Sequence, residues 1–124
     1  MHELRMVQLL LEQIDAECRR VNVNKVSAVH VRWGALRQIV PEVFQFAFDT
    51  AKVGTVAEDA VLNYEIVPMR IACSECSTEF ESYDLLTPCP KCGAYGGNLL
   101  SGDEFILDSL EIADNEEEVP CTSQ

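Results

Sequence analysis

Residues 73–93 read CSECSTEFESYDLLTPCPKCG and contain four cysteines in the spacing C-x2-C-x12-C-x2-C. These are Cys73, Cys76, Cys89 and Cys92. Each pair fits a tight turn, and Gly93 after the second pair can take a positive φ. The twelve residues between the pairs suffice for a hairpin that brings four thiolates to one tetrahedral site, the geometry that Zn²⁺ prefers. Because such a site leaves no open position for a substrate, we expect a structural metal and look for function elsewhere.

Two disulfides are the alternative to a metal site. The start of the chain, residues 1–5, leads directly into a periodic polar and apolar stretch and has no feature of a signal peptide. We therefore expect a cytoplasmic protein with reduced thiols, in which paired C-x2-C units indicate a metal site. Cys18 lies on an apolar helix stripe and is expected to be a small buried hydrophobe. Cys121 receives no role.

Length and charge limit the possible functions. A chain of 124 residues forms one domain, or one small domain with a metal-stapled module. No apolar run reaches membrane-spanning length. The formal net charge is −12, and residues 103–118 hold eight acidic and no basic residues. This excess of negative charge disfavours nucleic-acid binding, which needs Lys and Arg to neutralise phosphates. The acidic stretch is either a solvated end or a face for a basic partner or for cations.

Hydrophobic periodicity predicts an α+β fold, a small three-stranded sheet covered by two helices with an inserted four-cysteine zinc ribbon. The predicted elements are a helix at 3–21, a strand at 26–33, a helix at 41–53, a strand at 60–67, the cysteine module and a strand at 104–112. The predicted divisions are an α+β domain at 1–69 and 103–113, the ribbon at 70–102, and an acidic disordered tail at 114–124.

The same periodicity predicts which side chains are buried. The buried face of the first helix is expected to hold Leu4, Val7, Leu11, Ile14, Cys18 and Val21. That of the second helix is expected to hold Val43, Phe44, Ala47, Phe48 and Ala51. His30 lies on the strand face opposite Trp33, so we expect a surface or packing residue there rather than a ligand.

The N-terminal residues Met1, His2 and Glu3 are a second candidate metal site. The α-amine, the His2 backbone amide and imidazole, and the Glu3 amide could surround one ion in a plane. Tetragonal nitrogen ligation is preferred by Ni²⁺ and Cu²⁺. From these residues alone, a frayed terminus with an exposed histidine remains the alternative.

The chain resembles a known family in several stretches that occur in the same order. They are the start MHEL at 1–4, PEVFQFAFD at 41–49, GTVAE at 54–58, the four cysteines with CPKCG at 89–93, and SLEI at 109–112. Together they resemble the HypA/HybF family of hydrogenase nickel-incorporation proteins. The resemblance extends from residue 1 to about residue 113, and the combination of stretches is more specific than the cysteines alone.

The resemblance implies a nickel metallochaperone rather than an enzyme. It implies a transient Ni²⁺ at Met1, His2 and Glu3, with His2 as the essential ligand, and structural Zn²⁺ at the four cysteines. The implied partners are a nickel-handling maturation GTPase and the precursor of the [NiFe] hydrogenase large subunit, with urease as a possible second target. Neither nucleic acid nor a membrane is expected, and the chain would be a monomer or homodimer. Glu42 matches an additional family carboxylate loosely and is a weaker nickel candidate.

Two other classes of function compete with nickel delivery. A zinc-ribbon adaptor would use the same four cysteines and leave the N-terminus inert. A metalloenzyme fits less well, because the chain has only two histidines and no catalytic constellation is visible.

Overall fold

The computed structural model describes residues 3–84, 86–112 and the backbone of 118–120. Its elements in chain order are α1 (Glu3–Arg20), β1 (Val26–Gly34), a 3-10 turn (Ala35–Arg37), α2 (Pro41–Ala51), β2 (Val61–Val67), β3 (Met69–Cys73), β4 (Glu79–Ser82), β5 (Gly97–Ser101), β6 (Phe105–Ile112) and β7 (Glu118–Pro120). The chain divides into two compact units. The helical unit comprises Met1–Val31, Ile39–Tyr64 and Ile106–Gln124, and the ribbon unit comprises Arg32–Gln38 and Glu65–Phe105.

The strands form two small sheets. One has the order β2-β1-β6-β7, and the other has the order β4-β3-β5, with antiparallel pairing on both sides of β3. The predicted α+β class, with two helices and small sheets, is confirmed. The first sheet has four strands instead of three, because residues 118–120 pair antiparallel with β6. These residues belong to the segment for which the sequence predicts disorder; residues 114–117 and 121–124 of that segment lie outside the described residues.

Helix α1 buries one face, ends at Arg20 and is closed by Asn22. Its buried residues are Met6, Val7, Leu10, Ile14, Glu17 and Cys18. Leu4, expected on this face, is 55% exposed. The helix carries apolar side chains over more than one stripe, so periodicity alone misplaces the centre of the buried face. Asn22 has φ 63°, and the Val23 amide donates to the Cys18 carbonyl, which closes the helix with a left-handed residue.

Helix α2 starts at Pro41, whose fixed φ suits the first helical position. The preceding Val40 offers no side-chain cap; its own amide donates to the Glu3 carboxylate at 3.0 Å. Phe44 and Phe48 are fully buried, as predicted. Val43 was expected beside them but is 48% exposed.

A close backbone approach within the ribbon unit requires glycine at position 34. The Gly34 amide donates to the Glu104 carbonyl at 2.7 Å, and the Leu36 amide donates to the Gly102 carbonyl at 2.9 Å. A Cβ atom at position 34 would lie 1.9 Å from the Gly102 carbonyl oxygen, so no other residue fits without moving the backbone.

Candidate metal centre

Two turns of the ribbon unit bring the four predicted cysteines together. Cys73 ends β3, Cys76 follows on the next turn, and the second pair lies between β4 and β5. The Sγ atoms of Cys73 and Cys92 are 3.6 Å apart, as are those of Cys76 and Cys89. All four Sγ atoms lie within 4.8 Å of one another. Within residues 3–84 and 86–112, no other group of three or more Cys, His, Asp or Glu side chains converges in this way.

The two turns share one hydrogen-bond pattern. In the first, the Ser77 amide donates to the Cys73 carbonyl, and the Cys73 amide donates to the Thr78 carbonyl. In the second, the Gly93 amide donates to the Cys89 carbonyl, and the Cys89 amide donates to the Ala94 carbonyl. This repeat makes the two C-x2-C segments equivalent and presents each pair of thiols to the other pair.

Backbone amides of both turns are directed at cysteine sulfurs. The Glu75 amide donates to Cys73 Sγ and the Lys91 amide donates to Cys89 Sγ, both at 3.4 Å. Amide hydrogen bonds to sulfur stabilise thiolates, which are the form that binds a metal. The turns therefore supply backbone donors to the ligand sulfurs.

Both turns need a left-handed residue four positions after their first cysteine. Gly93 has φ 79° and meets this requirement without a steric penalty, as predicted. The equivalent residue in the first turn is Ser77, with φ 64°. A serine in this region costs about 1–2 kcal/mol relative to right-handed backbone. The first turn is thus strained where the second is relaxed.

The four sulfurs fit a metal ion with tetrahedral coordination. A metal–sulfur distance of about 2.3 Å gives tetrahedral S–S edges of about 3.8 Å. The observed 3.6 Å separations are close to that value. Cys73 and Cys89 are buried with Phe80 in a small apolar cluster, against which Ile71 and Ala94 pack. The site is therefore held by core packing as well as by its turns.

The thiols of the site differ in their pKa values. Hydrogen bonds from the Thr78 hydroxyl and amide lower the pKa of Cys76 to about 6. Bonds with the amides of its own turn also lower the pKa of Cys73. The Ala94 amide lowers the pKa of Cys92, but partial desolvation and the neighbouring thiols outweigh it and raise that pKa to about 12. Four adjacent thiolates repel one another, so a cation is needed before all four can ionise together.

Thr78 was not identified from the sequence. Its hydroxyl lies 3.2 Å from Cys76 Sγ. The equivalent position in the second turn is Ala94, which has no hydroxyl. A signal was present in the sequence, because aligning the two C-x2-C segments places Ser-Thr against Gly-Ala after the second cysteine of each pair.

The N-terminal candidate site is described only from Glu3 onward. Met1 and His2 lie outside the described residues, so their assignment remains a prediction. Glu3 begins α1, and its carboxylate accepts the Val40 amide hydrogen bond at 3.0 Å. Glu42 lies exposed in the first turn of α2. The structure therefore places the Glu3 carboxylate beside Val40, which precedes Glu42 by two residues at the start of α2.

The remaining candidate residues have structural partners or lie outside the described chain. His30 is half-buried, and its Nε2 lies 2.6 Å from the Glu111 carboxylate. Cys18 is buried, and burial, followed by Asp15 and Glu17, raises the pKa of its thiol. Cys121 lies outside the described residues. No helix among the described residues has the length and apolarity that crossing a membrane requires.

The fold and the site define an α+β protein with an inserted four-cysteine metal-binding ribbon. Comparison with known proteins narrows this class. A family model described as "Hydrogenase/urease nickel incorporation, metallochaperone, hypA" matches residues 1–112. The chain therefore belongs to the HypA family, as its sequence resemblance predicts, and this family consists of metallochaperones rather than enzymes.

Individual relatives agree with the family match. The hydrogenase maturation factor HypA of Aquifex aeolicus is 40% identical over 90% of this chain and 97% of its own length. That of Geobacter sulfurreducens is 38% identical over 90% of this chain and 99% of its own length. The solution structure of the Ni metallochaperone HypA from Helicobacter pylori has a TM-score of 0.65 at 27% identity, covering 90% of this chain and 97% of that one.

Proposed function

We propose that the chain binds Ni²⁺ at Met1, His2 and Glu3 and delivers it to the precursor of the [NiFe] hydrogenase large subunit. The observation that carries this proposal is that the cysteine site is closed by its own four ligands. A tetrahedral site of four thiolates has no open position from which an ion is readily passed on. A nickel metallochaperone with such a site needs a second, more accessible one.

The small number of histidines supports the N-terminus as that second site. The chain has only two histidines. His30 is half-buried and paired with Glu111 at 2.6 Å. His2 is then the candidate nitrogen side-chain ligand, next to the α-amine and two backbone amides. Nitrogen ligands in tetragonal geometry suit Ni²⁺.

The position of Glu3 is compatible with ligation through its backbone. Its carboxylate binds the Val40 amide, so the expected ligand is the Glu3 amide nitrogen. The first amide of a helix does not donate within that helix. Deprotonating it for nickel therefore breaks no helical hydrogen bond, while the Glu3 side chain keeps the start of α1 beside Val40.

The cysteine site is proposed to hold Zn²⁺ as a structural ion. Tetrahedral sulfur ligation suits zinc or iron, and zinc adds no redox chemistry to a site whose role is to hold the ribbon together. Metal analysis of the purified protein distinguishes the two, because iron bound by four thiolates colours the protein and zinc does not. A coloured, iron-containing protein purified from cells with ample zinc would contradict the zinc assignment.

The experiment that tests delivery compares hydrogenase activation by the His2→Ala and His30→Ala variants in cells grown with limiting nickel. We expect His2→Ala to abolish hydrogenase activation and His30→Ala to preserve it, with excess nickel restoring activity in the former. Equal activation by both variants would contradict delivery through the N-terminus. A pull-down with the intact chain tests the proposed GTPase partner, and urease activity in the same cells tests the second target.

A further inference from the structure

Helix α2 carries large apolar side chains on two opposite faces. Phe44 and Phe48 are fully buried, whereas Phe46 is 73% exposed and Val43 is 48% exposed. A helix at the surface of a soluble protein normally has a polar outer face. Exposed apolar side chains that cluster on one surface mark interaction sites. The outer face of α2 is therefore a candidate docking surface.

An open groove of about 420 Å³ runs along this face within the helical unit. Its lining residues are Pro41, Glu42, Gln45, Phe46, Asp49 and Tyr64. Glu42, Phe46 and Asp49 recur at helical spacing and lie on one side of α2. Tyr64 comes from β2, the outer strand of the four-stranded sheet, and is 44% exposed. The groove thus combines two aromatic rings with two carboxylates.

The carboxylates of this groove are only partly compensated. Gln45 Nε2 donates to Asp49 Oδ1 at 2.9 Å, and Lys52 Nζ lies 3.5 Å from the same oxygen. Among the residues that the structure describes, no side chain forms a hydrogen bond or ion pair with the exposed Glu42 carboxylate. No basic side chain among the described residues lines the groove. A cationic ligand is the charge complement of this surface.

We propose that the groove between α2 and β2 binds an arginine side chain of a partner protein. A guanidinium group is planar, donates hydrogen bonds to carboxylates and stacks on aromatic rings at the same time. Glu42 and Asp49 supply the acceptors, and Phe46 and Tyr64 supply the rings. A lysine ammonium could use the carboxylates but lacks the planar face that stacks between aromatic side chains.

The position of the groove suits it to hold a partner that receives nickel, an inference that rests on the proposed function. The groove begins at Pro41, next to Val40, whose amide holds the Glu3 carboxylate. A partner anchored here would lie beside the N-terminus that is proposed to carry nickel. A second copy of the chain is a poor occupant, because each copy has a formal charge of −12 and the two would repel.

The test uses the full chain, uniformly labelled with ¹⁵N, and two peptides. The first is acetyl-Gly-Leu-Arg-Leu-Gly-amide, and the second has citrulline, the neutral isostere, in place of arginine. We expect the arginine peptide to shift the amide resonances of Phe46, Asp49 and Tyr64 saturably, with a Kd of about 1 mM or tighter. The citrulline peptide is expected to leave these resonances unchanged.

Three variants separate the contacts. Glu42→Gln should weaken the arginine peptide about threefold, as expected for a partly exposed ion pair. Phe46→Leu keeps an apolar side chain but removes the ring, and should also weaken binding about threefold. Glu12→Gln removes one exposed charge from α1 and should leave the affinity unchanged. Thermal melts show whether each variant remains folded.

Several outcomes would overturn the proposal. They are equal binding of the two peptides, shifts that map outside the groove, no binding at millimolar peptide, and an equal loss in Glu12→Gln. Concentration-dependent shifts of the groove residues without peptide would assign the surface to a second copy instead. Failure of nickel binding in the native chain would contradict the proposed function and leave the groove's arginine binding intact.

Discussion

Replacing Gly93 by alanine tests the geometry of the metal centre through its backbone. Gly93 has φ +79°, and no atom lies within 4 Å of a Cβ built there, so the substitution introduces strain without a clash. Its amide donates to the Cys89 carbonyl at 2.9 Å, which couples its conformation to a ligand-bearing residue. Holding alanine in the left-handed region costs about 1–2 kcal/mol.

This cost should appear as weaker metal binding, because ribbon folding and metal binding are coupled. A loss of about 1–2 kcal/mol corresponds to roughly a 5- to 30-fold lower affinity. Competition with a colorimetric zinc chelator measures it. The matched control is Gly54→Ala in the helical unit, where φ is +82° and again no atom lies within 4 Å. The control should lower the free energy of unfolding by a similar amount, seen as a lower melting temperature, and leave zinc affinity unchanged.

Either of two results would contradict the need for a left-handed residue at position 93. Gly93→Ala could bind zinc as tightly as the native protein, in which case the turn does not need a left-handed residue. Gly54→Ala could lose as much zinc affinity as Gly93→Ala, in which case the effect reports global stability rather than the geometry of the site.

Three further predictions concern the centre and the core. Thr78→Val removes the hydroxyl that, together with the Thr78 amide, lowers the pKa of Cys76 to about 6. The pKa of Cys76 then rises toward 9.0, and the midpoint of acid-induced zinc release moves to higher pH. An unchanged midpoint would contradict the role of the Thr78 hydroxyl. Thr50→Val is the control at a remote site. Cys73→Ala should abolish stoichiometric zinc binding and the dispersed ribbon resonances in an NMR spectrum; retention of both would count against the structural assignment. Phe44→Ala should destabilise the fold by about 3–5 kcal/mol in chemical denaturation, and a loss below about 1 kcal/mol would show that its site collapses easily.

The metal centre could be anticipated from the sequence because its ligands are defined by spacing. A C-x2-C unit constrains its own turn, so two units specify most of the site before any tertiary contact is known. What spacing does not specify is the environment of each sulfur. The hydroxyl of Thr78 and the left-handed Ser77 have their effect through turn geometry. A comparison of the two turns residue by residue would have identified both.

The helices show where periodicity is insufficient. Val7 and Ile14 are buried as predicted, but Leu4 and Val43 are exposed because both helices carry more than one apolar stripe. Burial then depends on which stripe the sheet and the other helix cover, and a single sequence does not reveal this. Strand β7 was missed because Glu118–Pro120 has neither alternation nor length, and its pairing with β6 is a long-range contact.

Nickel titration of the native chain and of a chain extended by Gly-Ser before Met1 tests the separation of the two metal sites most directly. The extension removes the α-amine from its place beside His2 and leaves every cysteine unchanged. We expect the native chain to bind an equimolar amount of Ni²⁺ by calorimetry and the extended chain to bind none, with the same zinc content in both. Identical nickel isotherms for the two proteins would contradict nickel carriage at the N-terminus.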